Sequence, residues 1–301
     1  MYNTILEPKE HRAGFVNIIG NPNVGKSTLM NALVGEKLSI VTAKAQTTRH
    51  RIRGIVNGEN YQIVYSDTPG ILKPNYRLQE NMMDYVDTAI GDADIILYVT
   101  DVVEKADKNA DYVNRLKDLE CPVIIVVNKI DISNQEKVVS LMAEWQEKVP
   151  QALVIPVSAQ EKFNIESVLN AVISRLPVSP AWFDKDAFTD KNLRFFASEI
   201  IREKILENYS QEIPYCCEVA IEAFKEEEER YEISAVIYVM RDSQKGILIG
   251  KGGAALKKTG TDARIEMEDF FQKKVFLHMF VKVDENWREN RRELRKFGYE
   301  E

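Results

Sequence analysis

At 301 residues, with 45% hydrophobic and 29% charged side chains, the chain fits a soluble globular protein of two domains. Its net charge of −7 excludes binding of nucleic acid through the whole surface and leaves a local basic patch as the only route. No apolar run approaches the ~18 residues of a membrane span, and the first residues lack the basic start and apolar core of a signal peptide. Three cysteines, Cys121 and the adjacent Cys216 and Cys217, suggest neither a disulfide framework nor a metal cluster, so a reducing cytoplasm is the expected setting.

Residues 1–14 are a polar lead-in without periodicity. Phe15 to Ile19 reads as a short buried strand. It runs into Gly20-Asn21-Pro22-Asn23-Val24-Gly25-Lys26-Ser27, the spacing G-x-x-x-x-G-K-[ST], and then into a helical stretch that starts at Ser27-Thr28 and reaches Leu33. Strand, glycine loop and helix together make a phosphate cradle. Gly20 and Gly25 let the backbone curl until its N–H groups converge, and the helix N-terminus adds partial positive charge. Lys26 would meet the β- and γ-phosphates, and the Ser27 hydroxyl would ligate Mg²⁺.

Ile52–Val56 and Tyr61–Tyr65 flank Asn57-Gly58, a hairpin turn signal. Buried-type strands follow at 95–99, 123–127 and 153–157, separated by helical patterns at about 75–90, 106–119, 134–148 and 165–176. This alternation predicts a three-layer α/β fold with a mostly parallel sheet and ligands at the carboxyl ends of its strands. Those ends carry the chemistry. Asp67-Thr68-Pro69-Gly70 offers a carboxylate for Mg²⁺, directly or through a water, and the Gly70 N–H for a γ-phosphate oxygen. Gln46-Thr47-Thr48-Arg49 offers a threonine, Thr48, that could reach the metal when a γ-phosphate is present. Asn128-Lys129-Ile130-Asp131 ends a buried strand. The Asp131 carboxylate accepts from guanine N1–H and the 2-amino group, whereas adenine would leave it unpaired. Asn128 ties this loop to the phosphate loop, the Lys129 stem covers the base, and Ser158-Ala159 supplies a backbone N–H for guanine O6.

On these five motifs, residues 15–176 resemble a translation-factor-class GTPase domain. The resemblance implies a nucleotide site of Gly20, Asn21, Asn23, Val24, Gly25, Lys26, Ser27, Thr28, Asp67, Gly70, Asn128, Lys129, Asp131, Ser158 and Ala159. Ser27, Thr48 and Asp67 would hold the metal, and Lys26, Thr48 and Gly70 would carry the reaction. One departure stands out. Ile71 occupies the position where signalling GTPases carry the water-orienting glutamine, and no replacement or arginine finger is evident. Asn23 permits a potassium ion as the stimulating charge.

Arg175-Leu176-Pro177-Val178-Ser179-Pro180 and the acidic stretch after it read as a boundary, giving a GTPase domain over 1–177, a linker over 178–192 and a second domain over 193–301. Residues 194–209 read as a helix, 218–224 and 231–239 as alternating strands with a solvated turn at 226–229, 274–283 as a further strand, and about 287–297 as a charged helix. Gly250-Lys251-Gly252-Gly253 precedes a helical stretch beginning Ala254. Helix, strand, strand, helix, helix, strand resembles a smaller α+β, type II KH domain, whose G-x-x-G loop binds single-stranded RNA. Residues 241–258 hold Arg241, Lys245, Lys251, Lys257 and Lys258 against Asp242 alone. Gly250, Lys251, Gly252, Gly253, Lys257 and Lys258 are the RNA-binding candidates.

With both domains present, the whole chain resembles the Era family, bacterial P-loop GTPases of small-ribosomal-subunit assembly. The resemblance implies GTP and GDP with Mg²⁺ as ligands, recognition of 16S rRNA near its 3′ end, slow intrinsic hydrolysis, a monomeric state, and a cytoplasmic place with secondary peripheral contact at the inner face of the cell membrane. Two other classes share some of these features. A tRNA-modification GTPase would need a folate or flavin domain and a C-terminal cysteine, which this sequence does not have. A membrane-associated regulatory GTPase would use its C-terminal domain for protein or lipid, with Arg288, Arg291, Arg292, Arg295 and Lys296 facing anionic headgroups.

Overall fold

Continuous Val, Ile and Leu runs become strands covered on both faces, while the alternating runs near the C-terminus become strands with one open face. The protein is described by a computed structural model over residues 10–104 and 109–300. It divides into two compact units. The first comprises residues up to Ser39, His50–Leu72 and Asp84–Asp190, and the second Ile40–Arg49, Lys73–Met83 and the chain from Lys191 onward.

In the first unit the strands are β1 (Arg12–Gly20), β2 (Ile52–Asn57), β3 (Tyr61–Asp67), β4 (Ile95–Asp101), β5 (Val123–Asn128) and β6 (Leu153–Pro156). Their order is β2-β3-β1-β4-β5-β6. Only β2 and β3 are antiparallel, joined by the Asn57-Gly58 hairpin; the other neighbours run parallel. The register aligns Ile18 with Asp67, Gly20 with Val99, and Asp101 with Asn128. The carboxyl ends of β1, β3, β4 and β5 therefore share one edge, and the strand order reverses at β1, where ligands bind in open α/β sheets.

Helices α1 (Lys26–Val34), α2 (Arg77–Gly91), α3 (Ala110–Lys117) and α4 (Gln135–Lys148) lie between these strands in the chain, and α5 (Ile165–Ile173) follows β6. Asn134 caps α4 by accepting the Lys137 N–H at 2.9 Å. The expected beginning of α3, at 106–108, lies outside the described residues. After Ile173 the chain continues as a hydrogen-bonded turn to Leu176, and Pro177, which has no N–H to give, follows. Residues 178–190 belong to the first unit. The Trp182 and Phe183 N–H groups both donate to Gln62 Oε1, at 2.7 and 2.9 Å, and the Thr189 hydroxyl donates to the Arg53 carbonyl at 2.6 Å.

The second unit holds α6 (Leu193–Asn208), α7 (Ile213–Cys216), β7 (Glu218–Glu226), β8 (Arg230–Val239), α8 (Asp242–Ile249), α9 (Ala254–Phe271), β9 (Lys274–Val283) and α10 (Arg291–Lys296). Its sheet order is β7-β8-β9, with β7–β8 antiparallel and β8–β9 parallel. The parallel pair needs a crossover, which α8 and α9 provide. Ile201, Ile205, Ile233, Ala235, Ile237, Leu248, Ala263 and Met267 form its core. The short α7 is not marked by periodicity; Pro214 begins it. α10 is shorter than the expected 287–297, because Trp287 is fully buried with its indole N–H on the Cys216 carbonyl, and Asn290 caps the helix only from there. Cys121, Cys216 and Cys217 are free thiols, and burial pushes the Cys217 thiol up to about 12.

Candidate nucleotide and RNA sites

The phosphate loop is built where β1 stops. Gly20 has φ +149° and lies so close to β4 that a Cβ would come 2.2 Å from the Val99 carbonyl oxygen. Gly25 has φ +95°, and a Cβ there would meet the Asn128 amide at 2.2 Å. Both glycines are thus demanded by conformation and by space. Asn23 adopts φ 65°, a left-handed conformation that asparagine tolerates. Lys26, 6% exposed, donates to the Asn21 carbonyl at 2.9 Å. Burial lowers its pKa to about 8, partly offset by the Asp67 and Glu104 carboxylates. Burial strips water from this ammonium, so phosphate oxygens entering the loop would replace the lost solvation.

Ser27 Oγ donates to Asp67 Oδ2 at 2.6 Å. These two hard oxygen donors, one at the head of α1 and one at the end of β3, fit Mg²⁺. Thr68 donates to the Ile18 carbonyl at 2.7 Å and fixes the turn that follows. A Cβ on Gly70 would come 2.7 Å from Pro22 Cα, so this glycine lets the turn lie against the phosphate loop. The Ile71 N–H donates to the Gly20 carbonyl at 3.1 Å, and its side chain, 3% exposed, has no polar atom to offer an attacking water. Thr48, expected at the metal, belongs to the second unit, where it is 7% exposed between Thr47 and Arg49.

The base-reading loop is fastened to the phosphate loop by side chains. Asn128 donates to the Val24 carbonyl at 2.9 Å and accepts the Ala159 N–H at 2.9 Å. Lys129 donates to the Asn23 carbonyl at 2.5 Å and pairs with Asp101 at 2.6 Å. Ser158 Oγ donates to Asp131 Oδ1 at 2.6 Å, which sets the carboxylate's orientation. All residues of the expected nucleotide site fall within the first unit, and of the expected metal ligands Ser27 and Asp67 do so while Thr48 does not.

The glycine loop of the second unit follows α8. Gly250, Gly252 and Gly253 have φ of +72°, +59° and +79°, so the chain turns between two helices through left-handed backbone. A Cβ on Gly252 or Gly253 would meet nothing within 4 Å, so the loop is open to a strand approaching from outside. Gly253 caps α9, whose first N–H groups face outward from the helix start. Lys251, Lys257 and Lys258 are exposed. Lys258 shares its ammonium with Asp262 at 2.7 Å and Asn208 at 2.5 Å.

Residues 15–129 match the family described as 50S ribosome-binding GTPase, and residues 212–288 match the KH domain. GTPase Era of Heliobacterium modesticaldum is 41% identical over 292 residues, 96% of this chain and 98% of that protein. The chloroplastic GTPase ERA-like protein of Oryza sativa is 43% identical over 295 residues, 96% of this chain and 70% of that protein. Among solved structures, an Aquifex aeolicus Era variant bound to GDP and AlF4⁻ is similar with a TM-score of 0.92 at 37% identity, covering 96% of this chain and 99% of that one. The chain belongs to the Era family of GTPases. A second Era structure, in complex with MgGDPNP and nucleotides 1506–1542 of 16S ribosomal RNA, matches with the same score, identity and coverage. The fold is therefore that of a P-loop GTPase domain followed by a KH domain.

Two residues of this Era-type site are missed by motif reading. Asp101 ends β4 in register with Asn128; one carboxylate oxygen takes the Val103 and Glu104 N–H groups and the other holds Lys129. Glu104 accepts from the Asn21 amide and from Thr100 Oγ1, so it steadies the loop beside Lys26. The sequence signal for Asp101 is an acidic residue ending a buried strand, and Glu104, three residues beyond, carries none.

Proposed function

We propose that this chain is a GTP-binding and GTP-hydrolysing switch that binds 16S rRNA near its 3′ end and acts in small-ribosomal-subunit assembly. The observation that carries the reading is the pairing, in one chain, of a phosphate loop and a base-reading loop with an open G-x-x-G loop, similar over 96% of its length to an Era structure bound to MgGDPNP and 16S rRNA. Ser27 and Asp67 would hold Mg²⁺, and the ion would neutralise charge on the β- and γ-phosphates. Lys26 and the converging N–H groups of Gly20–Ser27 hold the triphosphate. Asp131, oriented by Ser158, selects guanine. Gly70 places its N–H toward the transferred group. The buried Ile71 contributes shape alone, so hydrolysis without an activator is slow.

In the second unit, the RNA backbone approaches Gly252 and Gly253, where no side chain stands in its way, and Lys251 meets a phosphate. The cytoplasm is the setting this function calls for. Among the described residues no helix is long and apolar enough to cross a membrane. A peripheral lipid contact is the weaker reading, because Arg291 is paired with Glu300 at 2.8 Å and Lys296 with Glu293 at 3.5 Å.

Replacing both Lys251→Asp and Gly252→Asp puts negative charge and two side chains where the strand must pass. Binding of a 16S 3′-end fragment in a filter assay should fall by more than about tenfold, the direction set by the lost phosphate contacts. GTP binding, made in the other unit, should be unchanged. A double variant that binds the fragment as the parent does would refute the RNA reading.

A further inference from the structure

Strand β9 is the outermost strand of the second sheet and carries different chemistry on its two faces. Val275, Leu277, Met279 and Val281 belong to or pack on the core. Helix α9 lies close on that side, since a Cβ on Gly260 would come 2.8 Å from Met279 Cε. The alternate residues are Lys274, Phe276, His278, Phe280 and Lys282, and every one is exposed. Phe276 is 47% and Phe280 56% exposed, unusual for phenylalanines in a strand whose other face is a core.

Chance exposure does not explain the order of this row. It reads cation, aromatic, aromatic heterocycle, aromatic, cation. Successive members of one strand face stand about 6.6 Å apart, close to twice the ~3.4 Å rise of stacked bases. On the neighbouring strand the register sets the small Ser234 opposite His278 and the buried Val236 opposite Phe280, so the row is open toward the free edge rather than toward β8. Arg230 lies 5.6 Å over the Phe276 ring and places a cation on that ring face. His278 stands edge-on to Phe276, with ring centroids 4.5 Å apart.

We propose that this row is a second RNA contact, a stacking platform for single-stranded RNA that continues beyond the G-x-x-G loop around the free edge of β9. The inference rests on the RNA-binding reading of that loop. Aromatic side chains interleaved with cations on an open sheet face bind single strands because every base has a π-face and every nucleotide a phosphate. Lys274, with a side chain 80% exposed and its nearest carboxylate, Glu268, 3.8 Å away, is placed for a phosphate. Lys282 and Arg230 are paired with Glu222, Glu227 and Glu232, carboxylates that RNA phosphates would have to displace, so Lys274 is the main cation of the row. The rings are separated by His278 and bracketed by lysines, so they do not form the continuous apolar patch that a protein partner buries.

The test uses the full chain and labelled single-stranded RNA from the 3′-terminal stretch of 16S rRNA, in lengths of about four nucleotides, the reach of the glycine loop, and about twelve. Phe276→Leu with Phe280→Leu keeps apolar bulk but removes the rings. The longer RNA should bind about tenfold or more weakly, and the shorter as it does to the parent. Phe280→Trp should in addition show indole fluorescence quenched by the longer RNA. Equal binding of the longer RNA by parent and double-leucine variant overturns the platform, and so does an unquenched indole; the row would then serve a protein contact or none. Failure of the loop reading is distinguishable, since it would appear as unchanged binding of the shorter RNA by the Lys251→Asp, Gly252→Asp variant.

Discussion

Asp131 accepts the Ser158 hydroxyl on one oxygen, so its aim at a base depends on a neighbour 27 positions away. Exchanging its carboxylate for an amide, Asp131→Asn, replaces an acceptor by a donor that suits the 2-oxygen of xanthine. Preference should move from GTP toward xanthosine triphosphate by about two or more powers of ten, as expected when a buried polar group is left unpaired by the wrong base. Competition binding with the two triphosphates reads this directly, and an unchanged preference for GTP would remove Asp131 from base selection. At Ile71 the expectation is a basal rate on the order of 10⁻⁴–10⁻² s⁻¹. If Asn23 helps to hold a potassium ion, turnover in potassium chloride should exceed that in sodium chloride at equal ionic strength, and Asn23→Ala should abolish the difference. Most of this site is legible in the sequence because a phosphate loop is contiguous: eight neighbouring residues carry its two glycines, Lys26 and Ser27. Asp101 and Glu104 are not legible, since their work is to hold Lys129 and Asn21 across the fold, and no local spacing reports it.

The segment Ile40–Arg49 shows how an element takes its structure from partners far along the chain. The Val41 N–H donates to the Glu203 carboxylate at 3.1 Å, the Thr47 carbonyl accepts from Arg202, and Lys44 reaches carbonyls at the end of α6. Arg49, 1% exposed, donates to the Cys217 carbonyl and Glu218 at 2.8 Å each and to the Pro214 carbonyl at 3.2 Å; Tyr299 donates to the same Glu218 oxygen at 2.8 Å. The sequence marks this stretch as a polar loop with a candidate threonine, Thr48, and does not show its order, which is imposed by hydrogen bonds and one buried ion pair rather than by periodicity. Removing one member of such a buried pair leaves the other uncompensated. Arg49→Ala should therefore destabilise the second unit by about 3–5 kcal/mol, whereas Arg49→Met combined with Glu218→Leu should recover much of the loss. Urea unfolding followed by tryptophan fluorescence separates the two cases. Equal midpoints for Arg49→Ala and parent would show that Glu218 finds another donor.

At the scale of the whole molecule, order along the chain and membership of a compact unit part company. Ile40–Arg49 and Lys73–Met83 lie between the phosphate loop and the base-reading loop in sequence, yet both belong with the KH-bearing unit. Local patterns mark the change of character after Pro177, but a pairing such as Arg77 with Glu300 at 2.9 Å, or the Leu78 N–H with the Arg288 carbonyl at 3.0 Å, joins residues too distant for any periodicity to reveal. A fragment ending at Asp190 tests what this division means. It retains Gly20–Ser27, Asp67, Gly70, Asn128–Asp131 and Ser158–Ala159, all within the first unit, so it should bind GDP with an affinity within about threefold of the full chain, the spread expected when no direct contact is lost. The same cut removes every second-unit partner of 40–49 and 73–83 that follows residue 190, and bares Ile40, Leu78 and Met82, which are 4%, 0% and 0% exposed in the full chain. Segments stripped of buried contacts open locally and are cleaved first. Limited proteolysis of the GDP-bound fragment should therefore cut within 40–49 and 73–83, at sites that the full chain protects under the same conditions. A fragment that resists cleavage there would show that these segments hold their structure without the second unit, and loss of GDP binding would show that the phosphate loop depends on it.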